Sequence, residues 1–418
     1  MVSKSYDWIA GAHLDDHTRR KHKILREYFY QYVMVKCARP IQPKFRLAVV
    51  DGFSGGGRYI CNTPGSPIIF IEELQRAANA VNARRADQGL NSVLEIECLL
   101  ILNDAKTDVT NLLKSHVEAI LLNSKEACPS LNLNVIYLND IFASSYPEIR
   151  NLILKGRYKS VIFNLDQCGY AAVDNLTLSE IMKTTPSTEI FHTFSIQSLM
   201  TFLSRTDPNL LEAQVRTLGI SSADLRNNDD IMSNNMFLGM AERLVFNSFK
   251  ITARFVSPFS IRNPDGWRYW LIHLANNYRA RQVYNDVLHG NGTQAHFGRS
   301  GLNMLSYDPS NEQDLLYLFE DENRRYAQEQ LINDIPQFIS NFGNAMRVSD
   351  FYEATYNITP AHKDDIHSAM IENSELEIHT QDGGRRRKGN TINIRDTIKL
   401  KPQRSLFHFS ASLHKIVR

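Results

Sequence analysis

The sequence predicts an α/β protein, a doubly wound and mainly parallel sheet followed by a C-terminal winged helix-turn-helix. Short apolar runs alternate with helix-like segments up to Phe194, the pattern of strand-helix repeats. A late pair of strand-like runs then flanks the reversal Arg262-Asn-Pro-Asp-Gly266. Beyond about residue 310 the character changes to helix, turn, helix and a basic hairpin, the layout of a winged helix.

Composition fits this reading. The chain has 418 residues, 43% hydrophobic and 22% charged, enough for two or three folded domains. We expect an N-terminal helical segment at 1–45, an α/β domain at 46–300 with a helical insertion at about 207–248, and the winged helix at 310–418. There is no apolar run of about 18 residues and no signal-peptide layout at Met1-Val-Ser-Lys-Ser-Tyr-Asp7, so a cytoplasmic location is expected. Cys37, Cys61, Cys98, Cys128 and Cys168 are odd in number and widely spaced, which argues against a disulfide framework or zinc ribbon. The net charge of +2 is unevenly spread: Gly383–Arg418 holds ten Lys/Arg against the single acid Asp396, leaving the rest of the chain acidic. The C-terminus therefore carries the basic face.

The elements follow in order. Asp16–Val35 is an opening helix, because Ile24, Leu25, Tyr28, Tyr32 and Val35 share a face at 3.6-residue period. His13, His17 and His22 lie in or before it; one i, i+4 pair has metal-ligand spacing but no third ligand in register. Pro40 and Pro43 end the helix before the first strand. Pro64-Gly-Ser-Pro67 reads as a helix start, with Ser66 as N-cap and Pro67 first in the helix, running on through Ala86. Further strands are expected at Leu94–Leu102, Asn134–Leu138, Tyr158–Leu165 and Thr188–Phe194, with a helix at Asp108–Asn123 among the segments between them. The runs Thr252–Ile261 and Trp267–Leu274 form the late hairpin. In the C-terminal part, helices are expected at Glu312–Phe342, Val348–Thr355 and Thr359–Asn373, the last with Thr359 as N-cap and Pro360 in its first position. Strands at Leu376–Thr380 and Thr391–Arg395 flank the Gly/Arg loop.

Open α/β sheets bind ligands at the carboxyl ends of their strands. The first strand runs into Leu47-Ala-Val-Val-Asp-Gly-Phe-Ser-Gly-Gly-Gly-Arg-Tyr59, an apolar run ending in an acid and a loop poor in Cβ atoms. It lacks the Gly-Lys-Ser/Thr ending of a phosphate loop and departs from the dinucleotide fingerprint. Asp51 could order this loop or meet the amino acid part of a ligand through water. Asn103-Asp104 ends the second strand, where an acid can accept both hydroxyls of a ribose, and Asn139-Asp140-Ile141-Phe142 ends the third, where polar and apolar side chains suit an adenine. An acid at a strand end also serves as a turn or helix-cap acceptor. The fourth strand ends Asn164-Leu-Asp-Gln-Cys-Gly-Tyr170, where Asp166 is an acceptor and Tyr170 a stacking ring beside a flipped base; a capped core strand is the plainer alternative. Cys168 has the position but not the Pro-Cys signature of a pyrimidine carbon-5 nucleophile.

The spacing Asp51-x-Phe53-x-Gly55-x-Gly57 resembles motif I of S-adenosylmethionine (SAM) methyltransferases. The chain also resembles the three-Cys-motif partner (TcmP) family over roughly residues 15–300. The carrying residues are Lys21-His-Lys-Ile-Leu-Arg-Glu-Tyr28, Val50–Tyr59, Gly65-Ser-Pro67, Asn139-Asp140, Leu165-Asp-Gln-Cys-Gly169 and Trp267–Leu288. The resemblance implies a Rossmann-like class I SAM-methyltransferase sheet in a bacterial protein. It places SAM among Asp51, Gly52, Phe53, Ser54, Gly55, Gly57, Asp104, Asp140 and Ile141, and a catalytic edge at Asp166, Gln167, Cys168 and Tyr170. It implies DNA or RNA as substrate and a radical-SAM-like protein encoded nearby as partner; the wing residues Arg385, Arg386, Arg387 and Lys388 would contact phosphates, with a solvated turn or a protein contact as the plainer alternative. The family's Asp-Pro-Phe/Tyr-Gly is Asp166-Gln-Cys-Gly169 here, so a non-catalytic nucleic-acid adaptor is the competing expectation.

Overall fold

The computed structural model describes residues 6–226, 234–262, 268–291, 301–303 and 321–402. Helix α1 (Asp16–Lys36) leads into a strand-helix alternation: β1 (Lys44–Asp51), α2 (Ser66–Asp87), β2 (Glu95–Asn103), α3 (Thr107–Ala127), β3 (Leu131–Leu138), α4 (Phe142–Lys155), β4 (Ser160–Leu165), α5 (Asn175–Met182) and β5 (Ser187–Phe194). Four helices follow, α6 (Ile196–Phe202), α7 (Pro208–Val215), α8 (Ser222–Arg226) and α9 (Asn234–Lys250), then the hairpin β6 (Phe255–Arg262) and β7 (Arg268–Ala275), and α10 (Tyr278–Asn291). The expected turn of that hairpin lies outside the described residues.

The strands form one sheet in the order β3-β2-β1-β4-β5-β7-β6, parallel except for β7, which runs antiparallel to both neighbours. Because β1, β2 and β3 step one way from the centre and β4 and β5 the other, the strand order reverses between β1 and β4. Their loops diverge there and leave a crevice at the carboxyl edge. Val49, Val50, Ile162 and Phe163 are wholly buried, as strands covered on both faces must be.

Helix α1 belongs to the same core. Its buried face, Thr18, Lys21, His22, Leu25, Tyr28, Phe29 and Tyr32, follows helical spacing and packs with α2 and α10. It is thus part of the α/β unit rather than an appendage.

The C-terminal unit contains α11 (Asp321–Ser340), β8 (Ala345–Arg347), α12 (Val348–Thr355), α13 (Lys363–Glu372), β9 (Leu376–His379) and β10 (Thr397–Leu400), with a three-stranded sheet in the order β8-β10-β9. Its core of Leu331, Ile335, Val348, Phe351, Tyr352, Ile366 and Ile398 continues into Phe255 and Ala275 of the hairpin. Asn357 accepts from the Val256 N–H (3.0 Å) and donates to the Arg254 carbonyl (2.6 Å), so the start of the edge strand β6 is covered rather than open.

Several boundaries differ from expectation. Helix α2 begins at Ser66 with Gly65 as its cap, so Pro67 is its second residue. Helix α13 is capped by His362, whose side chain accepts from Asp364 N–H; Thr359 instead donates its hydroxyl to the Gly301 carbonyl (2.7 Å), holding Pro360 in the connecting loop. The last strand is Thr397–Leu400, not Thr391–Arg395. Residues Gly389–Thr391 form a 3₁₀ turn, and Asp396 accepts from Asn393 N–H and from the Arg386 guanidinium, which curls the segment away from β9. The start of the expected helix at Glu312 lies outside the described residues. Among the described residues, no helix is long and apolar enough to cross a membrane.

Candidate active site at the carboxyl edge of the sheet

The Gly loop is held by the strands beside it. Gly52 N–H donates to the Asn164 carbonyl (2.9 Å), and Ser54 N–H to the Asn103 carbonyl (2.9 Å). Buried Asn103 donates to the carbonyls of Gly52 (3.1 Å) and Asp140 (3.0 Å) and accepts from the Ser145 hydroxyl (2.7 Å), tying three strand ends together. Small residues are required here. A Cβ on Gly52 would lie 2.8 Å from Leu165 and Phe142 atoms, and Gly55 adopts a φ of +60°.

The strand-end acids divide by role. Asp104 is a brace: Oδ2 accepts from Gly55 N–H (3.1 Å) and Oδ1 from Lys106 N–H (3.0 Å), with lone pairs left for a further donor. Asp140 accepts from Ile141 N–H (2.7 Å) at the surface, beside the Ile141 side chain, which is 59% exposed. The half-buried Phe53 ring packs 5.8 Å from the buried Phe142 ring beneath this end of the site. Asp51 is 0% exposed; burial pushes its carboxyl up to about 7, against the lowering effect of Ser66 and of Asn164, whose amide donates to Oδ1 (3.2 Å). It orders the loop from beneath.

At the end of β4 the Lys21 ammonium donates to Asp166 Oδ1 at 2.5 Å. Burial acts to raise the Asp166 carboxyl, but the Lys21 charge and hydrogen bond, with the Thr193 hydroxyl, win and hold it below the usual carboxylate range. Lys21 is only 7% exposed and stands on the apolar face of α1, one position before His22, which burial pushes down to about 4. A lysine at that helical position, flanked by Thr18 and Leu25, was the one sequence signal of an acid waiting across the fold.

The other residues of this turn serve its shape. Gln167, 3% exposed, accepts from Ala172 N–H (2.8 Å) and Val173 N–H (3.1 Å) and faces the buried His192 ring, so its side chain closes the loop instead of facing the crevice. Cys168 reaches the surface, but desolvation by its surroundings and the Asp166 charge raise its thiol, the opposite of what a thiolate nucleophile needs. Tyr170 is half-buried, with its ring 6.1 Å from Phe194.

One neighbour had no sequence signal. Trp8 lies on the Gly loop: a Cβ on Gly55 would fall 2.3 Å from its Cζ2, and one on Gly56 3.0 Å from its Cε3. It packs against Tyr59 at 5.0 Å, and the segment is fastened by Ile60 N–H donating to the Ala12 carbonyl (2.9 Å). The opening histidines make no constellation: His17 stacks on Tyr269 at 4.4 Å, and among the described residues no group of three or more potential metal ligands occurs.

The wing differs from its expected use in two residues. Arg386 is bound to buried Asp396 through Nε–Oδ2 (2.8 Å) and so shapes the loop. Arg385 reaches Glu377 (3.0 Å), while Arg387 and Lys388 are exposed with no acidic partner among the described residues.

Fold and site together define a mixed α/β protein with a large, mostly parallel sheet, a loop-lined crevice at its carboxyl edge and a C-terminal winged helix. Residues 306–383 match the family model of the GMT-like wHTH domain, in agreement with the helices and β9 described above. No curated protein matches the chain.

Proposed function

We propose that the protein is a SAM-dependent methyltransferase of the class I, Rossmann-like type acting on nucleic acid, as its resemblance to the TcmP family suggests. The observation that carries this reading is the convergence, where the strand order reverses, of the Gly52–Gly57 loop, Asp104, Asp140 with Ile141, and Asp166. The donor set fits the cofactor. Asp104 retains acceptor capacity for a ribose, and exposed Ile141 with half-buried Phe53 offers apolar contact for an adenine. When bound, the cofactor supplies an electrophilic methyl group.

The chain's own residues would position the acceptor. Asp166, held ionised by Lys21, takes hydrogen bonds from an exocyclic amine at the oxygen Lys21 does not occupy, and Tyr170 stacks on the base. Buried Asp51 stiffens the loop between them. The winged helix supplies nucleic-acid affinity.

A second reading is favoured by a specific observation. With Lys21 fixed on Asp166 and Gln167 turned into its own loop, the same pocket suits an adaptor that retains cofactor binding and works with a radical-SAM-like partner. Calorimetry with SAM, followed by incubation with methyl-labelled SAM and separated DNA, RNA and protein, tests both. Label in one nucleic-acid fraction, lost in Asp166→Asn with SAM binding retained, is the expected result. Binding without label supports the adaptor; no binding removes both.

A further inference from the structure

Groove-reading helix-turn-helix proteins place the N-terminal residues of the second helix against base edges. In this chain that end of α13 is built into the α/β unit. His362, its cap, lies 3.4 Å from Asp286 of α10 and packs against the His289 ring at 5.5 Å. Asn285 donates to the Ala361 carbonyl and His289 reaches the Pro360 carbonyl (3.1 Å). The remaining faces of α13 are occupied as well. Asp365 is bound by Arg324 and Gln328, and His367 lies between Tyr352 and the Gly389 carbonyl. The exposed residues of α13 form one stripe at four-residue spacing, Asp364, Ser368 and Glu372, which is acidic and repels phosphate; the partly exposed Lys363 pairs with Asp364 (3.7 Å).

The outer face of the three-stranded sheet has the opposite character. Pairing sets Arg347, Thr397, His379 and Arg385 in one row across β8, β10, β9 and the wing, with Lys399 in the next row between Ala345 and Glu377. Arg347, Arg387, Lys388 and Lys399 are exposed and have no acidic partner among the described residues; Glu377 takes up only Arg385 and His379. Three steps of about 4.8 Å between neighbouring strands put the ends of the first row about 14 Å apart. That span is close to the roughly 12 Å width of the major groove of B-form DNA, so Arg347 at one end and Arg387 and Lys388 of the wing at the other can meet phosphates on both sides of a groove.

We propose that the winged helix binds duplex DNA through phosphates, with little regard to sequence, by the outer face of its β8-β10-β9 sheet and the Arg387-Lys388 wing, and that α13 reads no bases. This rests on the nucleic-acid part of the function proposed above. The module then holds substrate by counterion release, and any choice of target falls to the crevice at the sheet edge.

The test uses the full-length chain and fluorescence anisotropy with labelled duplexes of unrelated sequence, a matched RNA duplex and a single strand, across a KCl series. The variants are Arg347→Gln/Arg387→Gln/Lys399→Gln and, separately, Asp364→Ala/Ser368→Ala/Glu372→Ala. The expected result is near-equal affinity for unrelated DNA duplexes and a salt slope reduced by about 2 to 3 in the sheet variant. The α13 variant should bind as well as or better than the unaltered protein. A full salt slope in the sheet variant, a hundredfold preference among duplexes lost in the α13 variant, or preference for RNA or a single strand would overturn this assignment while leaving nucleic-acid binding intact. Failure of the unaltered protein to bind any nucleic acid at low salt would overturn the underlying reading itself.

Discussion

Strands β1 and β4 are neighbours in the sheet, Asp51 pairing with Asn164, and each leads to an aspartate at the same buried edge. Desolvation pushes both carboxyls upward. Asp51 meets only neutral donors, Asn164 and Ser66, and rises to about 7, whereas Asp166 meets the Lys21 ammonium and falls below the ordinary range. The loop side of the crevice is therefore organised by a carboxyl that gives up its proton reluctantly, and the acceptor side by one locked in the charged form. Opposite electrostatics arise at the two strand ends because a charged partner meets Asp166, whose side chain is 23% exposed, while desolvation prevails over neutral hydrogen bonds at the fully buried Asp51.

The sharpest way to break this contrast is Lys21→Met, which strands the Asp166 charge. We expect a loss of about 3 to 5 kcal/mol at pH 7 in denaturant unfolding. Much of it should return in Lys21→Met/Asp166→Asn; equal stability of the single and double variants would show that the Asp166 charge is not stranded when Lys21 is removed. The sign with pH follows from the depressed carboxyl. Stabilisation by the pair is present above the unfolded carboxyl's value of about 4 and is lost as pH falls through the lower folded value, so the two proteins should converge in acid.

Asp51→Asn probes the other side with opposite sign. A carboxyl raised to about 7 binds its proton more tightly when folded, so its contribution to stability declines as pH rises from about 4 to about 7. Removing the titration should flatten that decline and stabilise the protein at pH 8 by a few kcal/mol, at most about 4. Unfolding curves at pH 4 and pH 8 decide it; a variant that is weaker than the parent at both would mean that the carboxylate is needed for the fold.

A smaller effect is expected from Gly55→Ala. Its left-handed backbone costs a side chain about 1 to 2 kcal/mol, and the new Cβ would press on Trp8. Repeating the substitution in a Trp8→Ala background should recover the steric part and leave the backbone part. If the two backgrounds respond alike, Trp8 does not rest on the loop.

Much of the architecture was readable along the chain because it depends on local pattern. Period-2 and continuous apolar runs placed every strand from β1 to β7 within a few residues, and Val348–Thr355 was located to the residue. Capping was less legible: Thr359-Pro360 offers a good helix start, yet Thr359 spends its hydroxyl on Gly301, and the helix waits for His362. The second wing strand was displaced for a similar reason, since Asp396 gathers Arg386 and Asn393 into a turn where the apolar alternation of Thr391–Arg395 suggested extension.

By itself the sequence determined the alternating α/β order, the Cβ-poor loop after Asp51, the acids at successive strand ends and the segregation of positive charge beyond Gly383. These are properties of neighbouring residues, and periodicity, glycine freedom and charge density are all local. Only the tertiary structure decided which charges meet. Lys21 reaches Asp166 across 145 positions, Arg386 is neutralised by Asp396, and the end of α13 is closed by α10. Whether a charged side chain is free to act on a ligand or is used up within the protein depends on distances of a few ångströms between distant segments, and spacing along the chain carries no record of them.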